Sequence, residues 1–210
     1  MRYIKQFQKE NHLVPDGIIG KYTIKKMMEV FGIETKTGIS HFLGQVAVET
    51  MYFEKSKENL MYSAKRLLEI FPRYFNNKTA LVAAYRPEFI ANRVYNDKYR
   101  IKSLGNIHEG DGFKFIGRGA LQITGRRNYQ EFADWLGDDI IIYNPDLVSE
   151  CYFWQSALWF FDKRNIWSET EKVNYRNIKR VSRLVNGGDN GLQERVRLTK
   201  HFYNITKTYR

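Results

Sequence analysis

A mainly α-helical domain with one small β element is the fold class that the sequence predicts. Most apolar residues recur at the spacing of amphipathic or buried helices. One glycine-punctuated stretch, GDGFKFIGRGALQITGRRNY at residues 110–129, alternates apolar and polar residues, as a short hairpin does. The 210 residues, of which 43% are hydrophobic and 15% aromatic, are enough to bury one sizeable core.

The first 31 residues predict a helix, a turn and the start of a second helix. Ile4 and Phe7 share one face of the first helix, and Asn11 can end it. Thr23 is expected to cap the second helix. This segment therefore predicts a helix-turn-helix ahead of the rest of the chain.

The rest of the chain alternates further helical segments with turns. The predicted helices are residues 40–49, 59–70, 81–95 with an interruption near Pro87, 128–136, 145–161, 177–185 and 193–203. Residues 111–124 are predicted to form the hairpin. Cys151 lies in the apolar run CYFWQSALWFF, which favours a buried, unreactive thiol.

The chain is strongly basic, with 34 Lys and Arg against 23 Asp and Glu and a net charge of +11. This charge predicts a polyanionic partner, which could be nucleic acid, anionic lipid or an acidic cell-wall polymer. No P-loop or RNP-like pattern favours nucleic acid. The single cysteine excludes an intramolecular disulfide and a cysteine-based metal site.

The amino terminus has charges throughout and no apolar h-region, so we expect no secretory signal and synthesis in a cytoplasm. No apolar run is long enough to span a bilayer, so stable membrane insertion is not expected.

Two glutamates are the candidates for acid–base chemistry. Glu49 follows the apolar helix, where partial burial is expected to raise its pKa and keep it protonated. Glu58 lies in EKSKENL, where Lys55 and Lys57 are expected to favour its ionised form. A glycosidase needs this asymmetry between its acid and its base.

The spacing of the two glutamates also constrains the fold. On one straight helix, nine residues would separate them by ~13 Å along the axis, too far to flank one bond. The helix is therefore predicted to end soon after Glu49, with Glu58 folding back.

Several ordered motifs lie between about Phe31 and Tyr203: FLGQVAVET, ENLMYSA, ANRVYND, GDGFKFIGRGALQITGRRNY, NPDLV and LVNGGDNGLQERV. Together they resemble the motifs of the glycoside hydrolase family 19 chitinases, and within them the phage endolysins that cut peptidoglycan. The resemblance implies a lysozyme-like, two-lobed helical domain over residues 32–210, with the hairpin lining the cleft. Residues 1–31 resemble about half of a small peptidoglycan-binding repeat, and the alternative, a helical hairpin extending the main domain, stays open.

Taken position by position, the resemblance implies that Glu49 is the general acid and Glu58 the general base. Thr124 takes the place of the hydroxyl residue that positions the attacking water. The residues implied in substrate binding or cleft support are Gln122, Asn128, Asn186 and Arg195. No metal or other cofactor is implied. The chain departs from the family pattern at Val48, where a histidine is usual, and at Thr50-Met51-Tyr52, where Ser-Gly-Gly is usual.

The function expected from this resemblance is that of an endolysin hydrolysing the β-1,4 bonds of bacterial peptidoglycan with inversion. The protein is expected to be a monomer with peptidoglycan rather than nucleic acid as its partner. It would be made in the host cytoplasm and would reach the wall after another protein had permeabilised the membrane. The alternatives are a chitinase using the same residues, a lytic transglycosylase, and a non-catalytic wall-binding or virion protein.

Overall fold

The computed structural model describes residues 1–208, and its regular secondary structure is helical. The α-helices of this part are α1 (Arg2–Glu10), α2 (Lys21–Phe31), α3 (Lys36–Glu49), α4 (Ala64–Ile70), α5 (Asn77–Ala83), α6 (Pro87–Val94), α7 (Asp111–Lys114), α8 (Arg126–Leu136), α9 (Ile140–Tyr143), α10 (Leu147–Glu150), α11 (Phe153–Lys163), α12 (Tyr175–Asn186) and α13 (Leu192–Lys207). Two 3-10 helices cover Asp97–Tyr99 and Ile166–Glu169. The prediction of a mainly α fold is confirmed.

The chain divides into two compact units. The first unit combines residues 1–56 with the chain from Phe153 onward, and the second unit is Lys57–Tyr152. Glu49 therefore belongs to the first unit, and Glu58 to the second.

Helix α3 is the central element of the first unit. Every residue from Gly38 to Ala47 is buried, as the apolar run predicted, and the Thr35 side chain caps the helix by accepting from Gly38 N at 3.0 Å. Helix α13 packs closely on α3 at Gly44, where a Cβ would lie 3.0 Å from both the backbone nitrogen and the Cα of Thr199. A larger residue at this position would push the two helices apart.

The first two helices contribute to the aromatic core of the first unit. Phe7 contacts Phe31 and Trp154, with ring centroids 5.4 and 6.3 Å away, and Tyr3 stacks on Phe153 at 3.7 Å. These contacts favour the alternative in which residues 1–31 extend the main domain. The domain boundary at residue 31 stays a prediction.

The predicted ends of these helices are partly right. Asn11 is the C-cap of α1, and Ile4 and Phe7 lie on its buried face, as predicted. The prediction that Thr23 caps α2 is wrong, because α2 begins at Lys21 after Gly20 and Thr23 is buried within it.

The second unit has its own apolar core, formed around α4, α5 and α6. Side chains of Leu67, Ile90 and Val94 are buried in it. Pro87 begins α6, which confirms the predicted interruption of the helical segment at that residue.

The predicted β-hairpin at residues 111–124 is not confirmed. Asp111–Lys114 is helical, and the only β pairings within residues 1–208 are isolated antiparallel bridges, Lys57 with Arg118 and Arg118 with Ile123. Arg118 N donates to Ile123 O at 3.1 Å, and Ile123 N donates to Arg118 O at 2.7 Å. The segment therefore contains a tight loop in which Arg118 pairs with Ile123. This pairing is too short to count as a β-strand on either side of the loop.

The predicted helix at 145–161 is two helices, α10 and α11. They are separated at Cys151, which is the C-cap of α10. Cys151 is exposed at this break, so the prediction of a buried thiol is wrong. Among residues 1–208, no helix combines the length and apolarity that crossing a membrane requires.

Candidate active site

Glu49 lies at the last position of α3, as the spacing argument required. Its side chain is 23% exposed and forms an ion pair with Arg195, which is 3% exposed, through a hydrogen bond from Arg195 Nη2 to Glu49 Oε1. The close packing of α13 on α3 brings this guanidinium to the end of α3. Arg195 is therefore a buried partner of Glu49.

The Arg195 guanidinium is fixed from three directions. Besides Glu49, Nη1 donates to Gln45 Oε1 at 2.6 Å and Nε donates to the backbone oxygen of Asn190 at 3.1 Å. Gln45 lies one helical turn before Glu49 and also donates to Ser182 Oγ at 3.4 Å. A planar guanidinium with partners on all of its nitrogens has one orientation, and it holds the Glu49 carboxyl in one place.

Asn186 contacts the same loop oxygen as Arg195, the backbone oxygen of Asn190. Its Nδ2 donates to Asn190 O at 3.0 Å, and its Oδ1 accepts from Gly188 N at 2.7 Å. The same Asn190 oxygen accepts from Arg195. Asn186 thus shapes the NGGDNG loop that positions Arg195.

The turn after Glu49 has an unusual backbone. Met51, Tyr52 and Phe53 have φ values of 50°, 60° and 63°, in the left-handed region that disfavours side chains. Tyr52 N donates to Ala47 O at 2.7 Å, and Phe53 N donates to Thr50 Oγ1 at 2.9 Å. These bonds reverse the chain directly after Glu49.

Glu58 is held by the backbone of the glycine-rich segment. Glu58 N donates to Gly117 O at 3.0 Å, and Gly117 N donates in return to Glu58 Oε1. The second carboxylate oxygen, Oε2, accepts from the Tyr95 hydroxyl at 2.7 Å. Each carboxylate oxygen therefore has a separate donor.

Gly117 is the point at which three predicted site residues meet. A Cβ on it would lie 2.5 Å from Gln122 Oε1 and 3.2 Å from both Glu58 Oε1 and Thr124 Oγ1. No side chain fits among these oxygens, so the position requires glycine. The structure thus brings Glu58, Gln122 and Thr124 together in the second unit.

Asn128 and Arg118 stabilise the backbone of this segment through hydrogen bonds. Asn128 Nδ2 donates to Thr124 O at 2.7 Å, which fixes the backbone of Thr124. Arg118 is buried, and its Nε donates to Asp146 Oδ1 at 2.7 Å while Nη1 donates to Lys114 O at 2.8 Å. Arg118 therefore stabilises the loop.

The electrostatic environment of Glu58 differs from the prediction. Burial raises the pKa of Glu58 above its ordinary value, against the opposing effects of the Gly117 N–H, the Tyr95 hydroxyl and Arg118. Lys57, which was expected to favour the ionised form, pairs instead with Asp146 at 2.7 Å. The prediction that Glu58 is the carboxyl biased toward ionisation is wrong.

Tyr95 keeps its proton in this site. Burial and the adjacent Glu58 carboxylate raise the pKa of Tyr95 well above its ordinary value of 10.0. The hydroxyl is therefore protonated near neutral pH and donates its hydrogen bond to the Glu58 carboxylate.

Two residues of these networks, Tyr95 and Gln45, were not predicted from the sequence. Gln45 is the one amide in the apolar run FLGQVAV, four residues before an acid, and this polarity was a usable signal. Tyr95 lies in the motif ANRVYND, but its contact with Glu58 spans 37 residues, so no local pattern shows it. Within residues 1–208, no three His, Cys, Asp or Glu side chains are grouped so as to hold a metal ion.

A comparison with curated proteins finds a relative in Haemophilus influenzae, a glycosyl hydrolase family 19 domain-containing protein. It is 37% identical to this chain over 196 residues, which cover 90% of each protein. No protein-family model matches the chain.

Proposed function

The chain belongs to glycoside hydrolase family 19 and is a glycoside hydrolase, and from that premise we propose that it hydrolyses the β-1,4 bonds of bacterial peptidoglycan by acid–base catalysis. The observation that carries the proposal is the convergence of the Glu58, Thr124 and Gln122 side-chain oxygens on Gly117. A carboxylate and a hydroxyl side by side can hold one water molecule between them.

Glu58 is the proposed general base, with Thr124 orienting the water. Its raised pKa supports this role, because a base is more effective when its pKa lies nearer the working pH. Removal of a proton from water by Glu58 leaves a hydroxide-like oxygen to attack the anomeric carbon. Tyr95 and Gly117 keep the carboxylate oriented during this step.

Glu49 is the proposed general acid, which protonates the leaving glycosidic oxygen. Arg195 supports this role by fixing the carboxyl and by stabilising the carboxylate that remains after the proton has left. Gln45 and the Asn186 loop keep Arg195 in place.

The charge of the protein supports peptidoglycan over chitin as the substrate. A net charge of +11 favours association with an anionic wall, whereas chitin is uncharged. Lysis of a bacterial host, as an endolysin, is the biological role that we propose for this activity. The enzyme would be made in the host cytoplasm and would reach the wall once the membrane had been permeabilised.

Mass spectrometry of fragments released from purified peptidoglycan tests the proposal. We expect products with an added water and a reducing end, and a loss of ~10²–10⁴-fold in rate for both Glu49→Gln and Glu58→Gln. Glu34→Gln, the same change at an exposed position of the first unit, should leave the rate within about twofold.

Three results would contradict the proposal. Anhydro ends would identify a lytic transglycosylase, and release of sugars from chitin alone would identify a chitinase. Retention of activity by folded Glu49→Gln would point to a non-catalytic role for that carboxyl.

A further inference from the structure

A cavity of about 660 Å³ lies on the second unit and is lined by residues of α6 and its neighbours. Phe89 and Arg93 line it from α6, four residues apart and so on one face of the helix, and Arg86 lines it from the position just before α6. Tyr95, which reaches Glu58, comes directly after α6. Neither Tyr95 nor Glu58 is among the residues that line the cavity.

Arg93 is a fixed cation with unused donors. Its Nε donates to Tyr74 O at 2.6 Å, and its guanidinium lies 5.6 Å from the Phe75 ring centroid and 5.7 Å from that of Tyr99. Within residues 1–208, neither Nη atom of Arg93 has a hydrogen-bond partner. A guanidinium held in this way is preorganised, so binding a carboxylate costs little further side-chain entropy.

Arg86 gives the cavity a second cation. Its guanidinium lies 5.7 Å from the Phe89 ring centroid, and Nη1 makes only a long contact of 3.4 Å to Val82 O. Arg86 and Arg93 are seven residues apart, which is about 10 Å along a helix and matches roughly three residues of extended peptide.

The charges of the cavity favour a peptide with carboxylates over a neutral sugar. Arg86 lies over the Phe89 ring, and both Arg93 and Lys98 lie over the Tyr99 ring, so cations accompany two of the three aromatic residues of the lining. Phe113, the third, gives an apolar surface that suits small apolar side chains. Glu88 adds one carboxylate to the lining, which complements an ammonium group.

From these features we infer that the cavity binds the peptide branch of peptidoglycan, a ligand with free carboxylates, an amine and small methyl side chains. This inference rests on the proposed function, and it assigns the cavity a role that the catalytic carboxylates do not have. Peptide binding there would anchor a branched glycan strand while the sugar chain is cut.

Binding of a synthetic stem peptide tests the inference directly. The probe is the N-acetylated pentapeptide L-Ala–D-γ-Glu–L-Lys–D-Ala–D-Ala, titrated into the intact protein by calorimetry or NMR. We expect saturable binding that weakens about tenfold in Arg86→Gln and in Arg93→Gln, because each loses a charge-assisted bond to a carboxylate. Arg73→Gln, which removes an exposed arginine of the same unit outside the cavity lining, should stay within about twofold of wild type.

Two further measurements separate this inference from the proposed function. Arg86→Gln should raise KM on intact peptidoglycan but leave the cleavage of peptide-free glycan strands unchanged. Arg86 is exposed, so this variant carries the test even if Arg93→Gln lowers the melting temperature.

The inference is overturned if the pentapeptide does not bind, if its C-terminal amide binds equally well, or if Arg86→Gln binds like wild type. It is also overturned if a chitin oligosaccharide competes for the cavity. A protein that cleaves peptidoglycan without binding the peptide refutes this inference alone. A protein that binds the peptide but does not cleave peptidoglycan refutes the proposed function alone.

Discussion

At the scale of single residues, the two oxygens of the Glu58 carboxylate have different donors. Oε1 accepts from the Gly117 backbone and Oε2 from the Tyr95 hydroxyl. Both bonds stabilise the ionised form, while burial destabilises it and raises the pKa of Glu58. The working pH of a base depends on this balance, so the balance can be tested by removing one donor.

Tyr95→Phe should move the acid limb of the pH–rate profile to higher pH. The lost hydroxyl lowers the pKa of Glu58 in the wild-type protein, so its removal raises that pKa further. A general base is inactive when protonated, and activity therefore falls at a higher pH in the variant. The measurement is kcat/KM on solubilised peptidoglycan as a function of pH.

The control for this experiment is Tyr62→Phe, which removes a hydroxyl from the same unit without removing a donor to Glu58. Its profile should match that of the wild type. An acid limb that stays in place in Tyr95→Phe, or moves to lower pH, would show that Glu58 is not the group that titrates in catalysis.

At the scale of elements, α3 and the turn that follows it determine where Glu49 lies. Three successive non-glycine residues, Met51 to Phe53, adopt left-handed φ values, and each costs about 1–2 kcal/mol relative to a right-handed conformation. Buried Phe53 and the hydrogen bond from Tyr52 to Glu194 oppose that cost. The family usually has Ser-Gly-Gly here, so this chain maintains the turn by side-chain contacts.

Met51→Gly should therefore stabilise the protein, by about 0.5–1 kcal/mol in the free energy of unfolding. Glycine removes the left-handed penalty, and this gain exceeds the entropy that glycine adds to the unfolded chain. Met51 is 58% exposed, so little packing is lost. Denaturant titration measures the change.

Met61→Gly is the matched control, because Met61 is 54% exposed and does not have a positive φ. That variant should be destabilised by about 0.5–1 kcal/mol. A lower stability for Met51→Gly would mean that the turn is not strained.

At the scale of the whole molecule, residues 1–31 form part of the hydrophobic core of the first unit. Tyr3 is buried, stacks on Phe153 and hydrogen-bonds to Ser56 through its hydroxyl. Phe7 reaches Trp154, the centre of the same aromatic cluster. These contacts are those of a core element, and they predict a large cost when the first helix is disturbed.

Tyr3→Ala should lower the free energy of unfolding by about 3–5 kcal/mol, as expected for an aromatic residue truncated in a core. Tyr22→Ala, at a position of the same segment that is 70% exposed, should change it by less than about 0.5 kcal/mol. Thermal unfolding of the two variants compares them. The opposite outcome has two parts: equal and small changes in stability for the two variants, and a protein lacking residues 1–31 that is soluble and active. Together they would identify residues 1–31 as an independent wall-binding appendage.

The sequence predicted those parts of the molecule that depend on local pattern. The apolar run at residues 40–49 predicts a buried helix, and α3 does end at Glu49. The pairing of Lys57 with Asp146 has no local signal, because the two residues are 89 positions apart. The burial that raises the pKa of Glu58 also depends on distant segments such as that of Gly117, and the environment predicted for Glu58 was wrong for this reason. The glycine-rich segment alternates like a hairpin, but Gly117 is needed for the close approach of Glu58, Gln122 and Thr124, and Gly112 for that of the α6 backbone at Ala91. Contacts between distant segments, which periodicity cannot show, decide the chemistry of the site.

The anomeric form of the first product tests whether Glu58 activates a water molecule. If Glu58 acts through water held with Thr124, the reaction inverts the anomeric carbon. Time-resolved NMR of a β-linked substrate should then show the α-anomer first, before mutarotation. An initial β-anomer, or a sugar trapped covalently on Glu58, would contradict the account.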